Sequence, residues 1–303
     1  MYYMFIIAPM TTAPIPVSKT VTIRDVNKEL YEHFTTLATR FGDNLGQVFS
    51  RLIQSYGKPY NPLFLLPGAR ARFAMLHDHS SIEVIRDCDE LVISKSDLEE
   101  AGADVHYIFR NIGHLVFDES VDNRTLMRHV LRIHKSNVET RGDVSRLFLK
   151  SINQSQMLSL YFQDLNPETT NITIRNVDEQ TYSEFSTACQ TARTKIGQAV
   201  NDLLKRSLPY FEISQILLHD PKLHDPDLIV LMLHEHLEVT PQDLQDLEGR
   251  KVLFHRIRDL IFSDSTDPKL FKDTVMGIYN CPQVIYPAAV PRLIRLSRTR
   301  SYP

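Results

Sequence analysis

The sequence is poor in cysteine: Cys88, Cys189 and Cys281 are scattered over 303 residues. An odd and scattered set argues against a disulfide framework and for free thiols in a reducing compartment. Cys189 falls at an apolar position of a helical pattern, so we expect a small buried core residue there. With 43% apolar residues the chain can build a core without disulfides or metal, and its length suggests about two domains.

Long hydrophobic runs are also missing. The N-terminal MYYMFIIAPM contains a short apolar run, but it lacks the basic region of a secretory signal and is too short to cross a bilayer. The following TTAPIPVS holds two prolines and cannot continue a helix. We therefore predict an extended N-terminal arm, no membrane partner and a cytoplasmic location.

The chain has no excess of positive charge, since its formal net charge is −3. Proteins that coat nucleic acid without sequence preference usually have a strong basic excess. If this chain binds nucleic acid, it should do so through a local patch and with selectivity. The tail does hold Arg292, Arg295, Arg298 and Arg300, which we expect to be solvated or to add non-specific phosphate attraction.

Recognisable catalytic motifs are missing as well. There is no P-loop, no GxGxxG after a strand, no GxSxG and no Cys/His nucleophile context. The triplets HDH at 77–79 and HEH at 234–236 would each place two imidazoles on one face of a strand, but they do not align with each other in the duplication described below. No cysteine pair supports a zinc site. We predict no enzyme, no catalytic residue, no metal and no cofactor.

One short phrase occurs twice. TVTIRDV at 20–26 and NITIRNV at 171–177 lie 151 positions apart. The same offset pairs Tyr31 with Tyr182, Phe34 with Phe185, Gly46 with Gly197 and Leu52 with Leu203. Further on, LVISKSDLEE at 91–100 resembles LEVTPQDLQD at 237–246, and YIFRNIGHLVFDES at 107–120 resembles VLFHRIRDLIFSDS at 252–265. The chain is therefore interpreted as a tandem duplication of a short motif followed by a companion module.

Each short motif opens with strict alternation of polar and apolar residues, which is typical of a strand with one buried face. Asn27 and Asp178 follow as N-cap residues, and each begins a helix with apolar residues at helical spacing. In the first copy a second helix begins after Gly42, where Asn44 and Gln47 are spaced like a capping box. The second helix of each copy has a narrow apolar stripe that must pack against another helix.

The order of strand, helix, tight turn and second helix resembles the ribbon-helix-helix DNA-binding proteins. The resemblance covers the whole motif in each copy, TVTIRDVNKELYEHFTTLATRFGDNLGQVFSRLI and NITIRNVDEQTYSEFSTACQTARTKIGQAVNDLL. It implies that two motifs intertwine and that their strands form an antiparallel ribbon, which enters the major groove of double-stranded DNA. The fold class expected is α+β and mostly helical, with tandem ribbon-helix-helix motifs and small α+β companion modules.

The resemblance also implies which residues contact DNA. The outward side chains of the ribbon would bind base edges: Thr20, Thr22, Arg24, Asn171, Thr173 and Arg175. The start of each second helix would contact phosphate through backbone N–H groups: Asn44, Leu45, Gly46, Lys195, Ile196 and Gly197. The two glycines would allow close backbone approach, either to phosphate or to the partner helix. Because Thr20 corresponds to Asn171, we expect an asymmetric DNA subsite.

Each companion module starts with a strand-like stretch, IEVI or LIVLML, followed by a helix that begins at Ser94–Asp97 or at Thr240 with Pro241. We expect another amphipathic helix through Ile108, Ile112 and Leu115, and its duplicate through Leu253, Ile257 and Leu260. The modules could pair with each other. They could serve oligomerisation, bind a ligand or hold a protein partner.

These patterns divide the chain into seven segments. They are an N-terminal arm (1–18), motif 1 (19–57), companion module 1 (58–152), a linker (153–169), motif 2 (170–208), companion module 2 (209–297) and a basic tail (298–303). The function expected is a nucleoid-associated, sequence-selective DNA-binding protein, most simply a transcriptional regulator. The duplication favours pairing of the two motifs within one chain, and pairing of like motifs between two chains is the alternative.

Two other classes of function stay open on the sequence alone. In an oligomerisation or antitoxin-like protein, the motifs would mainly dimerise and the companion modules would hold a protein partner. In a metal-dependent enzyme, the histidines would bind a metal ion.

Overall fold

The computed structural model of the chain describes residues 17–40, 44–56, 81–100, 102, 105–153, 168–223, 225 and 228–300. Of these residues 42% are helical and 34% are in strands, so the fold is mixed α/β with parallel sheets. The expectation of a mostly helical chain was wrong, because stretches predicted as helices in the companion modules are strands. The N-terminal arm up to residue 16, the HDH triplet, Gly42 and most of the linker lie outside the described residues.

The elements are numbered in chain order. The strands are β1 Ser18–Asn27, β2 Ser81–Ile93, β3 Val105–Phe117, β4 Val130–His134, β5 Val138–Thr140, β6 Thr169–Asp178, β7 Ile229–Met232, β8 His236–Val239, β9 Val252–His255, β10 Asp259–Phe262, β11 Val275–Tyr279, β12 Gln283–Ile285 and β13 Thr299–Arg300. The α-helices are α1 Lys28–Arg40, α2 Leu45–Gln54, α3 Lys95–Glu100, α4 Asn123–His129, α5 Arg146–Ile152, α6 Glu179–Thr191, α7 Ile196–His219, α8 Pro241–Gln245, α9 Pro268–Thr274 and α10 Arg292–Arg298. A 3₁₀ turn spans Pro221–Leu223.

The chain divides into two compact units that are not continuous in sequence. Unit 1 consists of Met1–Gly57 and Thr169–Leu203, and unit 2 of Lys58–Glu168 and Leu204–Pro303. The boundary between Leu203 and Leu204 falls inside helix α7, so this helix contains residues of both units. Unit 1 therefore contains motif 1 and residues 170–203 of motif 2, and unit 2 contains residues 204–208 together with the two companion modules.

Unit 1 is built around an antiparallel ribbon of β1 and β6. Thr22 lies opposite Thr173 at its centre, flanked by the pairs Val21 with Ile174 and Ile23 with Ile172. The two central threonines also occupy the same position in the two copies of the repeat. The ribbon therefore has a local pseudo-two-fold axis at these threonines, and both of its strands come from one chain.

Both strands bulge at equivalent places. Between Ile23 and Val26 strand β1 has one residue more than β6, and between Ile174 and Val177 strand β6 has one residue more than β1. Asp25 has φ of 61°, and Asn176, its counterpart in the second copy, has φ of 59°. Aspartate and asparagine are the non-glycine residues that adopt this left-handed conformation most readily. The sequence supplies such a residue at both bulges.

The helix starts of unit 1 are capped where the sequence predicted. Asn27 Oδ1 accepts the N–H of Leu30 at 3.0 Å, and Asp178 Oδ1 accepts the N–H of Thr181 at 2.8 Å. Asn44 caps α2 by accepting the N–H of Gly46 at 2.9 Å, rather than by the predicted capping box with Gln47.

The core of unit 1 consists of the inward face of the ribbon and the apolar stripes of its helices. Its fully or nearly fully buried residues include Val21, Ile23, Val26, Phe34, Val48, Phe49, Leu52, Ile172, Ile174, Val177, Phe185, Cys189, Ala199, Val200 and Leu203. The phenyl rings of Phe34 and Phe49 meet edge-on at 6.5 Å. Cys189 is 1% exposed, which confirms its predicted role as a core residue.

Unit 2 is made of parallel coils. In the first module β2, β3 and β4 are parallel neighbours, and β5 pairs with the second half of β3. In the second module one parallel sheet has the order β13-β11-β9-β7 and the other the order β12-β10-β8. Each coil is one turn of the chain and consists of a strand, a tight corner, a second strand and a short helix. The strands of successive coils pair side by side in the parallel sheets.

The corners show that these coils are regular. In the first module they have positive φ at Asp87, Asn111 and Lys135, which follow each other at equal intervals along the chain. In the second module positive φ recurs at Leu233, Arg256 and Asn280, at nearly the same interval. Each companion module is thus itself a short repeat structure.

The amphipathic helices expected through Ile108 to Leu115 and through Leu253 to Leu260 are strands. Ile108, Ile112 and Leu115 lie on β3, and Leu253 and Leu260 lie on β9 and β10. Inward-facing residues of a strand are two positions apart, but each corner adds one position to this alternation. The apolar residues therefore have a spacing that resembles that of a helix. The other predicted elements are confirmed: IEVI lies in β2, LIVLML contains β7, and Ser94 and Thr240 precede helices.

One hydrophobic core contains residues of both modules, among them Phe109, Phe117, Phe254 and Phe262. Polar contacts also join the modules. Arg146 Nε donates to Asp243 Oδ1 at 2.9 Å, and Asn123 Nδ2 donates to the carbonyl of Asp246 at 3.2 Å. Within the part of the chain that is described, none of the helices combines the length and apolar character that a membrane crossing needs.

Candidate nucleic-acid interface

The ribbon presents one polar face to solvent. Along β1 and β6 the inward residues are buried, whereas all six predicted base-contacting residues are exposed: Thr20, Thr22, Arg24, Asn171, Thr173 and Arg175. Antiparallel pairing brings these six side chains onto a single surface.

At the centre of this face, Thr22 Oγ1 and Thr173 Oγ1 lie 3.3 Å apart and share a hydrogen bond. Arg24 and Arg175 are related by the pseudo-two-fold axis and lie beside the two bulges. Among the described residues neither guanidinium has an ion pair or side-chain hydrogen bond. Their donors are therefore available to an external acceptor.

A third cation at the ribbon edge was not predicted. Lys19 Nζ lies 3.7 Å from Glu179 and 5.0 Å above the ring of Tyr182, and its side chain is one-third exposed. The only signal in the sequence was its position directly before the first strand phrase.

The predicted phosphate-contact residues fall into three groups. Asn44 and Lys195 are exposed beside the starts of α2 and α7. Leu45 and Ile196 are half-buried, and Gly46 and Gly197 are buried. A Cβ on Gly46 would lie 2.0 Å from the carbonyl oxygen of Arg175, and a Cβ on Gly197 would lie 2.1 Å from that of Arg24. The close approach that these glycines allow is to the bulged backbone of the opposite strand.

Two polar residues that the sequence did not single out fasten the helices to the ribbon. Ser50 Oγ accepts the N–H of Asp178 at 2.9 Å, and Asn201 Oδ1 accepts the N–H of Asn27 at 2.8 Å. Asn201 also donates to the carbonyl of Asp25 at 3.1 Å. Ser50 and Asn201 occupy the same position in the two copies, so a polar residue repeated within an apolar stripe was the available signal.

The histidine triplet at 234–236 does not form the predicted strand face. Leu233 turns the chain with φ of 62°, so His234 precedes β8 and only His236 begins it. Burial lowers the pKa of His234 to about 4, while His236 is exposed and lies 3.3 Å from Glu238. In the described part of the chain no cluster of three or more His, Cys, Asp or Glu residues is arranged to hold a metal ion.

Three of the four arginines near the C-terminus are bound within the protein. Arg295 donates to the carbonyls of Pro287, Ala288 and Val290, and Arg298 donates to that of Lys272. Arg300 pairs with Asp220 at 2.8 Å. Arg295 and Arg298 are half-buried rather than solvated as expected, whereas Arg300 is exposed and also ion-paired.

A groove of about 380 Å³ lies beside this segment, lined in part by Cys281, Tyr286, Arg292 and Leu296. Burial raises the pKa of the Cys281 thiol to about 11, so it stays protonated at neutral pH. Cys281 Sγ also accepts the N–H of Ile257 at 3.4 Å. The thiol is a packing group and lacks the thiolate character of a nucleophile.

No protein-family model, curated protein or solved structure matches this chain at a significant level. Its function is therefore inferred from the geometry described above.

Proposed function

We propose that the chain is a sequence-selective double-stranded DNA-binding protein that inserts the β1/β6 ribbon into the major groove. The observation that carries the proposal is the antiparallel pairing of the two repeated strands, with all six predicted base-contacting side chains on the exposed face. A two-stranded ribbon fits the width of the major groove of B-DNA, where each base pair offers a distinct pattern of donors and acceptors.

The chemistry of the exposed face suits base recognition. Arg24 and Arg175 can each donate two hydrogen bonds to O6 and N7 of guanine, and Asn171 can pair with adenine. The methyl groups of Thr22 and Thr173 can contact thymine methyls. A solvated sheet face would not require the two arginines to lie at positions related by the pseudo-two-fold axis.

The surrounding elements support the ribbon in this role. Each second helix packs against the strand of the other copy, Gly46 on the Arg175 carbonyl and Gly197 on the Arg24 carbonyl, which fits two intertwined motifs. Lys195 beside α7 would supply a phosphate contact, and Asn44 beside α2 would supply a neutral one. The formal net charge of −3 fits binding by a local patch rather than by overall attraction.

Fusing both strands in one chain has consequences for recognition. The ribbon forms without a second subunit, and its halves differ at Thr20 and Asn171. The preferred site should therefore have a near-symmetric centre, contacted by the arginines, and unlike flanks. Regulation of transcription is the simplest use of such selectivity.

Mutation of the ribbon arginines tests the proposal. Arg24→Ala or Arg175→Ala should weaken binding to the preferred duplex by about 1–3 kcal/mol and relax specificity at one position. Fluorescence anisotropy at a stated salt concentration measures both effects, and Arg124→Ala, an exposed arginine of α4, is the matched control.

Unchanged affinity in both ribbon variants would exclude the ribbon as the base-contacting element. If the protein instead co-purifies tightly with another protein and shows no salt-sensitive DNA binding, the antitoxin-like alternative replaces DNA recognition.

A further inference from the structure

A group of cationic residues lies on the outer face of the first companion module. Across β2, β3 and β4, Arg86 is opposite Arg110, and Arg110 is opposite His134. Neighbouring strands are about 4.8 Å apart, so these residues form a ladder. Arg132, two positions before His134, is on the same face of β4, and Lys135 forms the next corner.

The environment of His134 is strongly positive. Burial, followed in order by the positive charges of Arg132, Lys135, Arg110 and Arg206 of α7, lowers the pKa of this imidazole to about 4. The charges that act on the ring most strongly are thus all cationic. They come from three strands or corners of the module and from one helix, and they converge on one half-buried side chain.

Most of these cations have no partner among the described residues. Among the described residues Arg110, Arg132, Lys135 and Arg206 have no ion pair and no side-chain hydrogen bond. Nε of Arg132 and Nδ1 of His134 are buried without an acceptor or donor. Arg86 has one neighbour of opposite charge, Asp87 at 3.7 Å. Buried polar groups are normally satisfied, and among the described residues nothing supplies an acceptor to Arg132 Nε.

The second module shows what fills the equivalent place. There Met232, His255 and Tyr279 occupy the register of the ladder. Glu212 of α7, 3% exposed, accepts from His255 at 2.9 Å and from Arg256 at 2.6 and 2.7 Å. In the second module the chain supplies its own anion.

We propose that the basic cluster, formed by Arg86, Arg110, Arg132, Lys135 and Arg206 around His134, binds a phosphate group. The phosphate would occupy the role that Glu212 has in the second module. Phosphate suits the cluster better than a carboxylate does, because it offers more acceptor oxygens and a larger charge to several separate cations. The group could come from a nucleic-acid backbone or from a free phosphate ester.

The proposal does not depend on DNA binding by the ribbon. It is tested by titrating the full chain, labelled with ¹³C-histidine, with inorganic phosphate at constant ionic strength. The His134 ring signal is assigned by its loss in the His134→Gln variant. We expect a saturable shift of this signal and a rise in the pKa of His134, because the bound anion offsets the neighbouring cations.

Paired variants identify the residues responsible. Arg110→Gln/Arg132→Gln should abolish the response of His134. Arg124→Gln/Arg128→Gln removes the same charge from exposed positions of α4 and should leave the response intact. Arg24→Ala/Arg175→Ala should also leave it intact, which separates this site from the ribbon.

A duplex DNA arm distinguishes the sources of phosphate. If the backbone occupies the cluster, Arg110→Gln/Arg132→Gln should reduce the slope of log K against log salt concentration by about 2. A response to phosphate without that change assigns the site to a free phosphate ester. The proposal is overturned if phosphate produces no saturable shift, if the cluster variant responds like the wild type, or if glutamate shifts His134 as strongly as phosphate.

Discussion

The contact between helix α2 and the ribbon makes a prediction about Gly46→Ala. A Cβ at this position would lie 2.0 Å from the carbonyl oxygen of Arg175 and 2.5 Å from that of Asn176. Both obstacles are backbone atoms, so no side-chain rotamer can relieve the overlap. The helix or the ribbon must move.

The magnitude follows from two opposing effects. Alanine is favoured over glycine in a helix by at most about 1 kcal/mol. Overpacking of a well-packed site typically costs about 1–3 kcal/mol, and sometimes more. We therefore expect Gly46→Ala to lower the free energy of unfolding of unit 1 by about 1–2 kcal/mol. Gly197→Ala, where the Cβ would lie 2.1 Å from the Arg24 carbonyl, should cause a loss of similar size.

The assay needs to report on the ribbon, and the chain has no tryptophan. Urea unfolding followed by circular dichroism gives the stability, and hydrogen exchange of peptides covering β1 and β6 locates the change. Gln47→Ala is the matched control, because Gln47 is exposed on the same turn of α2. If Gly46→Ala is as stable as the wild type, with unchanged exchange in the ribbon, the packing of α2 on the bulge is refuted.

Two further predictions concern charged groups in unit 2. Glu212→Gln removes the carboxylate that accepts from Arg256 and from the fully buried His255, and it should cost about 3–5 kcal/mol of stability. Glu235→Gln, which breaks an exposed pair with Arg258, should cost about 0–1 kcal/mol in the same denaturation assay. The N–H of Thr125 and the nearby Lys95 hold the pKa of Asp122 at about 2. The ionised Asp122 therefore contributes to the free energy of unfolding above the unfolded pKa of about 3.9, and this contribution is lost as pH falls towards 2. Asp122→Asn should flatten this part of the stability curve between about pH 4 and 2, and an unchanged slope in acid titration would contradict the assignment.

The two strands of the ribbon could be predicted because the same alternating phrase occurs twice, and their antiparallel pairing was implied by the resemblance to ribbon-helix-helix proteins. Alternation of polar and apolar residues in two copies determined which side chains are exposed, and the N-cap residues Asn27 and Asp178 placed the helix starts. The close backbone approach at Gly46 and Gly197 was predicted, but the strand carbonyls that they approach were not. Each lies against a backbone carbonyl of the opposite strand, and local sequence does not contain that long-range contact.

The coils of unit 2 were missed for a different reason. Ile108, Ile112 and Leu115 have helical spacing, but the corner at Asn111 lies between the first two and shifts the strand phase. A shorter recurrence was present, since Leu91, Leu115 and Val138, like Leu237, Leu260 and Val284, follow each other at nearly equal intervals. Short, regular periods of this kind are typical of stacked repeats, and the larger duplication concealed them.

The basic cluster illustrates a third limit. Arg86, Arg110, Arg132 and Arg206 are far apart in the sequence, and no motif joins them. Only the parallel register of β2, β3 and β4 and the course of α7 bring their charges together around His134.

Selection of bound fragments from a pool of random duplexes, at a stated salt concentration, tests the central claim most directly. The wild-type chain should enrich a motif with two guanine positions related by near-symmetry and with unlike flanks, and Arg24→Ala/Arg175→Ala should lose the preference for those guanines. The claim is contradicted if the wild type enriches no motif, or if the double variant enriches the same one.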